Sequence, residues 1–124
     1  MMVLAPISVG ELVDKITILE IKLAHARTLD QTDNIRKELV LLVEILESHD
    51  LAQVVETLRQ QLAKVNQELW DIEDHKRSHE KHKLFDDAFI ALARNVYIKN
   101  DQRAVIKRQI NTLCHSDIVE EKLY

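Results

Sequence analysis

The 124 residues are enough for one domain with a sizeable core, and 1–124 reads as a single helical domain. One glycine and one proline leave little turn chemistry, while a formal charge of −4 argues against general nucleic-acid affinity, which needs a basic surface. Cys114 is the only cysteine, so an internal disulfide is excluded, and no apolar run approaches the ~20 residues that span a bilayer. Met1 to Ile7 lacks a basic start and a long apolar stretch, so it is not expected to be a signal peptide. A cytoplasmic protein with no membrane insertion is the expectation.

Ser8 and Glu11 have the spacing of a capping box, with Ile7 and Leu12 at the hydrophobic-staple positions. A first helix is predicted from about Val9 to Leu29, with a seam of Val9, Leu12, Ile16, Leu19, Leu23 and Ala26. Ile18 and Ile21 fall on its opposite side, beside Asp14 and His25, so this helix is either central or shared with a partner. A second helix is predicted from about Thr32 to Ser48, apolar almost all round in its middle; a strand is the rival reading, since Val and Ile are present, but the polar flanks and the Ile35, Leu39, Leu42, Leu46 spacing favour the helix.

The third helix is the clearest, because Leu51, Val55, Leu58, Leu62, Val65, Leu69 and Ile72 keep a heptad rhythm. Its seam then meets Glu73, Lys76 and Glu80, before a polar turn around Lys81 to Lys83. The fourth helix carries Phe85, Phe89, Leu92 and Val96, then Lys99 and Arg103, then Ile106, Ile110 and Leu113. It is read as continuous, although Asn100-Asp101 could break it. Ser116 to Tyr124 could form a short final helix started by Asp117 and Glu120.

Polar residues set into these apolar seams are the best candidates for a binding site: Asn66, Trp70, Glu73 and Asp74 on the third helix, and Arg94, Tyr97, Asn100, Asp101, Arg103 and Lys107 on the fourth. With the turn centred near residue 82, the two helices pack antiparallel and Trp70 lies level with Arg94. Helical angles put Asn66, Glu73 and Arg103 inward. An arginine on a core face needs a partner, because an uncompensated buried charge costs several kcal/mol. Glu73 or Glu20 is the expected partner of Arg103. This inward group is either an ion-pair network that fixes helix register or a polar pocket between helices.

Ile90, Arg94, Tyr97, Asp101, Val105 and Arg108 form a second stripe on the other side of the fourth helix. With Ile18, Ile21 and the surplus apolar surface of the second helix, it points to a subunit interface. A homodimer would bury all three.

Other chemistry is weakly supported. Asp71, His75, His79 and His82 share a quadrant of the third helix but point away from the seam, so no metal is expected there. Glu68, Asp71, Glu73 and Asp74 are spread over more than half the helix circumference, too widely to converge on Mg²⁺. Arg94, Lys99, Arg103, Lys107 and Arg108 would suit a phosphate or a nucleotide-linked sugar, but Gly10 is the only glycine and no loop cradles a phosphate. No Ser–His–acid or Cys–His arrangement is supported by spacing. No catalytic residue and no cofactor are assigned.

Four segments carry a resemblance: Ser8 to Lys22, Asn66 to Asp74, Leu92 to Ala104 and Glu120 to Tyr124. With them the chain resembles a family of small uncharacterised bacterial proteins, also met in phages and often encoded near polysaccharide or lipopolysaccharide biosynthesis genes. The resemblance covers nearly the whole chain and implies no established activity. It singles out Asp14, Lys15 and the final Glu-Glu-Lys-x-Tyr, and implies that this terminal motif docks back on the bundle and closes the polar site.

The expected fold is all-α, an antiparallel bundle of three to four long helices with a coiled-coil-like hairpin, forming a dimer. The expected function is a non-enzymatic helical assembly or accessory protein that binds a protein partner, with envelope-polysaccharide synthesis as the setting the resemblance implies. The alternative is a small enzyme or binding protein for a phosphorylated or nucleotide-linked sugar. In it Arg94, Arg103 and Lys107 would hold phosphate, Trp70 or Tyr97 would stack, and Glu73 or Asp74 would act as acid–base or metal ligand.

Overall fold

The computed structural model describes residues 1–124 and contains four helices and no strand: α1 Val9–His25, α2 Leu29–Ser48, α3 Glu56–His82 and α4 Asp87–Leu113. The seam pattern carries all four. The boundaries follow cap chemistry that periodicity alone does not report.

α1 stops at His25 rather than near Leu29 because Thr28 starts the next helix: its hydroxyl accepts from Gln31 N, and the Gln31 side chain bonds back to Thr28 N. This is a full capping box, and α2 begins before the expected Thr32 because of it. At Ser8 only half of the expected box forms: Ser8 Oγ accepts from Glu11 N at 3.1 Å, while the Glu11 carboxylate turns to Lys107. α3 starts at Glu56, so Leu51 and Val55 of the heptad seam lie in the preceding turn, where Val55 is nonetheless fully buried.

α4 runs unbroken through Asn100 and Asp101. Ser116 to Tyr124 is not helical, in contrast to the short final helix considered for it. The chain turns at His115, which takes a left-handed φ of 52°, and continues as an irregular tail.

α1 is the central helix. It packs against α2, α3 and α4, whereas α2 packs against no helix but α1. That explains its two apolar sides within a single chain: Ile16 faces the main core, and Ile21 on the other side is also buried. The core gathers Leu12, Val13 and Ile16 of α1 with Leu46, Leu62 and Ile110 from the other three helices. α3 and α4 are antiparallel, with His79 beside Phe89 near the turn and Glu68 paired with Lys99 further along. Lys99 lies about one turn beyond the Val96 that a turn centred at residue 82 would bring to Glu68.

The hairpin is longer than α1. The C-terminal end of α1 is marked by His25, whose ring lies 4.6 Å from that of Trp70. From Trp70 to the end of α3 at His82 the helices continue for about 18 Å at 1.5 Å per residue. No residue between Ile72 and Ile106 is buried.

Candidate functional site

The polar centre of the molecule is Asp14, in the second turn of α1 and fully buried. Two other helices, α3 and α4, converge on its carboxylate. Asn66 of α3 donates from Nδ2 to Asp14 Oδ1 at 2.9 Å, and the same amide donates to Thr17 Oγ1 at 2.9 Å. Thr17 donates to the Asp14 carbonyl at 2.8 Å, so its hydroxyl is used as both donor and acceptor. Arg103 of α4 lays its guanidinium fork on the carboxylate, with Nε 2.9 Å from Oδ1 and a second bond to Oδ2. This bidentate geometry is what an arginine achieves and a lysine cannot.

The partner of Arg103 is therefore Asp14, in place of the expected Glu73 or Glu20. Glu20 pairs with Arg59, and Glu73 pairs with Lys76 at 3.3 Å on its own helix. The reason lies in α1 being central: the side that looked peripheral by angle is covered by the hairpin, so Asp14 is the carboxylate that α4 meets.

Lys107 extends the network one turn along α4. Its ammonium lies 2.8 Å from Glu11, 2.7 Å from Glu120 of the tail and 3.9 Å from Asp14. Burial works to lower the pKa of Lys107, but the bonds from Glu11 and Glu120 outweigh it and leave the pKa above its ordinary value. The Arg103 pKa is also raised, chiefly by its hydrogen bond to Asp14, with burial opposing. Both cations stay charged and engaged. Lys107 is held by Glu11 and Glu120, and Arg103 commits Nε and one terminal nitrogen to Asp14.

The start of α1 is closed by side chains as well. Ser116 Oγ accepts from Val9 N at 3.1 Å, and Asn111 Oδ1 accepts from Gly10 N at 2.6 Å. With Ser8 on Glu11 N, the first orphan amides of the helix are satisfied within the chain. Gly10 is required here by close approach: a Cβ would stand 2.5 Å from the Lys107 carbonyl oxygen.

The tail docks over this end. Besides Glu120 on Lys107, Lys122 reaches Asp101 at 3.5 Å and Glu121 reaches Arg108 at 3.7 Å. The tail thus supplies one carboxylate to the buried network and brings two charged side chains to the rim of α4.

The expected site residues do not form one site. Asn66, Trp70, Glu73, Asp74 and Arg103 line an open groove of about 360 Å³ against Ile18 and Ile21. Asn100 lies beside Arg103 at 3.5 Å and, with Lys107 and the tail, borders a separate hollow of about 190 Å³. Asp101 faces the tail, while Arg94 and Tyr97 are exposed on the outer side of α4. Trp70 Nε1 is buried without a hydrogen-bond partner. His75 and His82 are exposed, and His79 rests against Phe89. No three His, Cys, Asp or Glu side chains come together as a metal would require.

Spacing on α3 and α4 missed Glu11, Asp14, Thr17, Asn111 and Glu120. A signal for Asp14 was present. A carboxylate between the two apolar sides of one helix has no solvated face to occupy if that helix is central.

Residues 2–124 match a family described as a family of unknown function (DUF6165), and the chain belongs to it. Comparison with curated proteins and with solved structures finds no match. The function of the family is not known, and no helix is long and apolar enough to cross a membrane.

Proposed function

We propose that the protein is a non-enzymatic helical assembly protein. In this reading the Asp14–Arg103–Lys107 network holds α1 in one register across the hairpin, and the distal, coiled-coil-like part of α3 and α4 receives a protein partner, first a second copy of the chain. The observation that carries it is the stretch between Ile72 and Ile106, in which no residue is buried. The accessible surface supports it: 8868 Å² for 14.4 kDa, where a folded monomer of that mass exposes about 6,800 Å². The extended ends contribute part of the difference, but a stable interface needs only about 800 Å² from each partner. The resemblance to a family often encoded near polysaccharide or lipopolysaccharide biosynthesis genes makes a component of such a pathway the next partner class to try. Sedimentation equilibrium over a hundredfold concentration range tests the assembly. A dimer is expected, and a monomer throughout contradicts it.

One observation favours a second reading, that of a binding protein. The unpartnered Trp70 Nε1 stands beside the groove that also holds Asn66, Glu73 and Arg77, where a ligand acceptor atom would satisfy it. A thermal-shift screen with nucleotides and sugar nucleotides tests this. A rise in melting temperature that Trp70→Phe abolishes supports it, and no rise with any of them removes it.

A further inference from the structure

The outer face of α4 is complementary to itself, and we infer that two copies of the chain dock through it, helix against antiparallel helix, about a two-fold axis passing between Tyr97 and Ile98. The inference rests on the assembly reading above and gives it a geometry.

The stripe is straight. Ile90, Arg94, Tyr97, Asp101, Val105 and Arg108 follow one another in steps of three and four, and the 18 steps from first to last are five turns at 3.6 residues per turn. With Asp87 they occupy a sector of about 80° at 100° per residue. All seven are exposed, and the apolar members are open to solvent: Ile90 at 53%, Tyr97 at 55% and Val105 at 57%. The core-facing residues Arg103, Ile106 and Ile110 lie on the other side of the helix.

In an antiparallel pair, residues equally far from the axis meet. Any straight stripe has such a register; what is particular here is which residues it brings together. Arg94 meets Asp101 of the second copy, and the symmetry repeats the pair. Ile90 meets Val105, Asp87 meets Arg108, and the two Tyr97 rings flank the axis. Every acid faces a base and every apolar residue faces an apolar one, which is the condition for a two-fold interface made from one patch. Arg94 and Asp87 have no ion-pair partner within the chain, whereas Asp101 and Arg108 are each held by the tail, at 3.5 and 3.7 Å. The tail therefore borders the interface and positions the acid and base that the second copy meets.

Two variants of the full chain test this. Arg94→Asp places acid against Asp101 twice per dimer and should weaken the dimer roughly tenfold or more, since opposed like charges are strongly unfavourable. Arg94 is exposed and free, so the helical content of the variant should match the wild type by circular dichroism. The double variant Arg94→Asp/Asp101→Arg restores opposed charges across the axis but gives up the Asp101–Lys122 contact, so it should recover part of the lost affinity. Independently, Tyr97→Cys in a Cys114→Ser background should form a disulfide-linked dimer under mild oxidation, and Gln102→Cys, exposed but off the stripe, should not. A wild-type dimer that ignores Arg94→Asp and does not cross-link at Tyr97→Cys overturns this geometry and leaves assembly standing. A wild-type chain that is monomeric at every concentration overturns both.

Discussion

At the scale of single residues the molecule turns on Asp14. A buried carboxylate that receives an arginine fork and an amide is stable only with its partners in place. Asp14→Ala leaves Arg103 half-buried and without its carboxylate, and should cost about 3–5 kcal/mol in urea unfolding. A loss below about 1 kcal/mol would mean that the network contributes nothing to register. Gly10→Ala should also destabilise, by about 1–3 kcal/mol, because the methyl group meets the backbone of α4 rather than a movable side chain. A wild-type melting temperature for that variant would contradict the close helix crossing.

Lys107 links the network to pH. Its pKa is raised in the folded chain, so folding favours the protonated form. That contribution is complete below the ordinary lysine pKa of about 10.4 and is lost as pH rises through the raised value. Glu120→Gln removes one of the three carboxylates that raise it, the others being Glu11 and Asp14. The alkaline fall in melting temperature should then begin at a lower pH than in the wild type. Coincident alkaline profiles would show that the tail does not engage Lys107.

At the scale of elements, three helices end alike. Asp50, Lys83 and His115 all take left-handed φ, at 56°, 54° and 52°. Each is followed by an amide that bonds five residues back: Leu51 to Leu46, Leu84 to His79, and Ser116 to Asn111. These are Schellman ends, where glycine is usual and other residues carry a steric cost of about 1–2 kcal/mol. The chain spends its one glycine elsewhere, at the crossing of α1 and α4. Lys83 is exposed, so Lys83→Gly should raise stability by up to about 1 kcal/mol in thermal unfolding. A destabilised variant would mean that the turn is built differently.

The same elements mark how far the sequence could be read. Apolar spacing identifies four helices and the long hairpin, because burial periodicity is a local property of each segment; it left a break at Asn100-Asp101 open, since Lys99 and Arg103 interrupt the seam of α4. The ends were less legible. Thr28-x-x-Gln31 is a capping box hidden in a polar stretch with neither Gly nor Pro, and the left-handed Asp50 and His115 carry no glycine to announce them. The partner of Arg103 was illegible from α3 and α4, since it depends on which helix is central, a long-range property. The outer stripe on α4 was legible, being fixed by angles within one helix.

At the scale of the whole molecule two halves behave differently. One end is dense: α1, the proximal hairpin and the tail enclose an ionic network with no free cation. The other is a two-helix arm with apolar residues on its outside, including Phe85 at 57% exposed. Two-helix hairpins reach stability by packing into larger bundles. The dense end fixes the geometry, and the arm presents it. Hydrogen exchange measured at increasing protein concentration tests that division most directly. The α4 amides from Ile90 to Val105 should gain protection as concentration rises, while the amides of α1 around Asp14 stay equally protected throughout. Fast exchange of the 90–105 amides at every concentration would contradict the account.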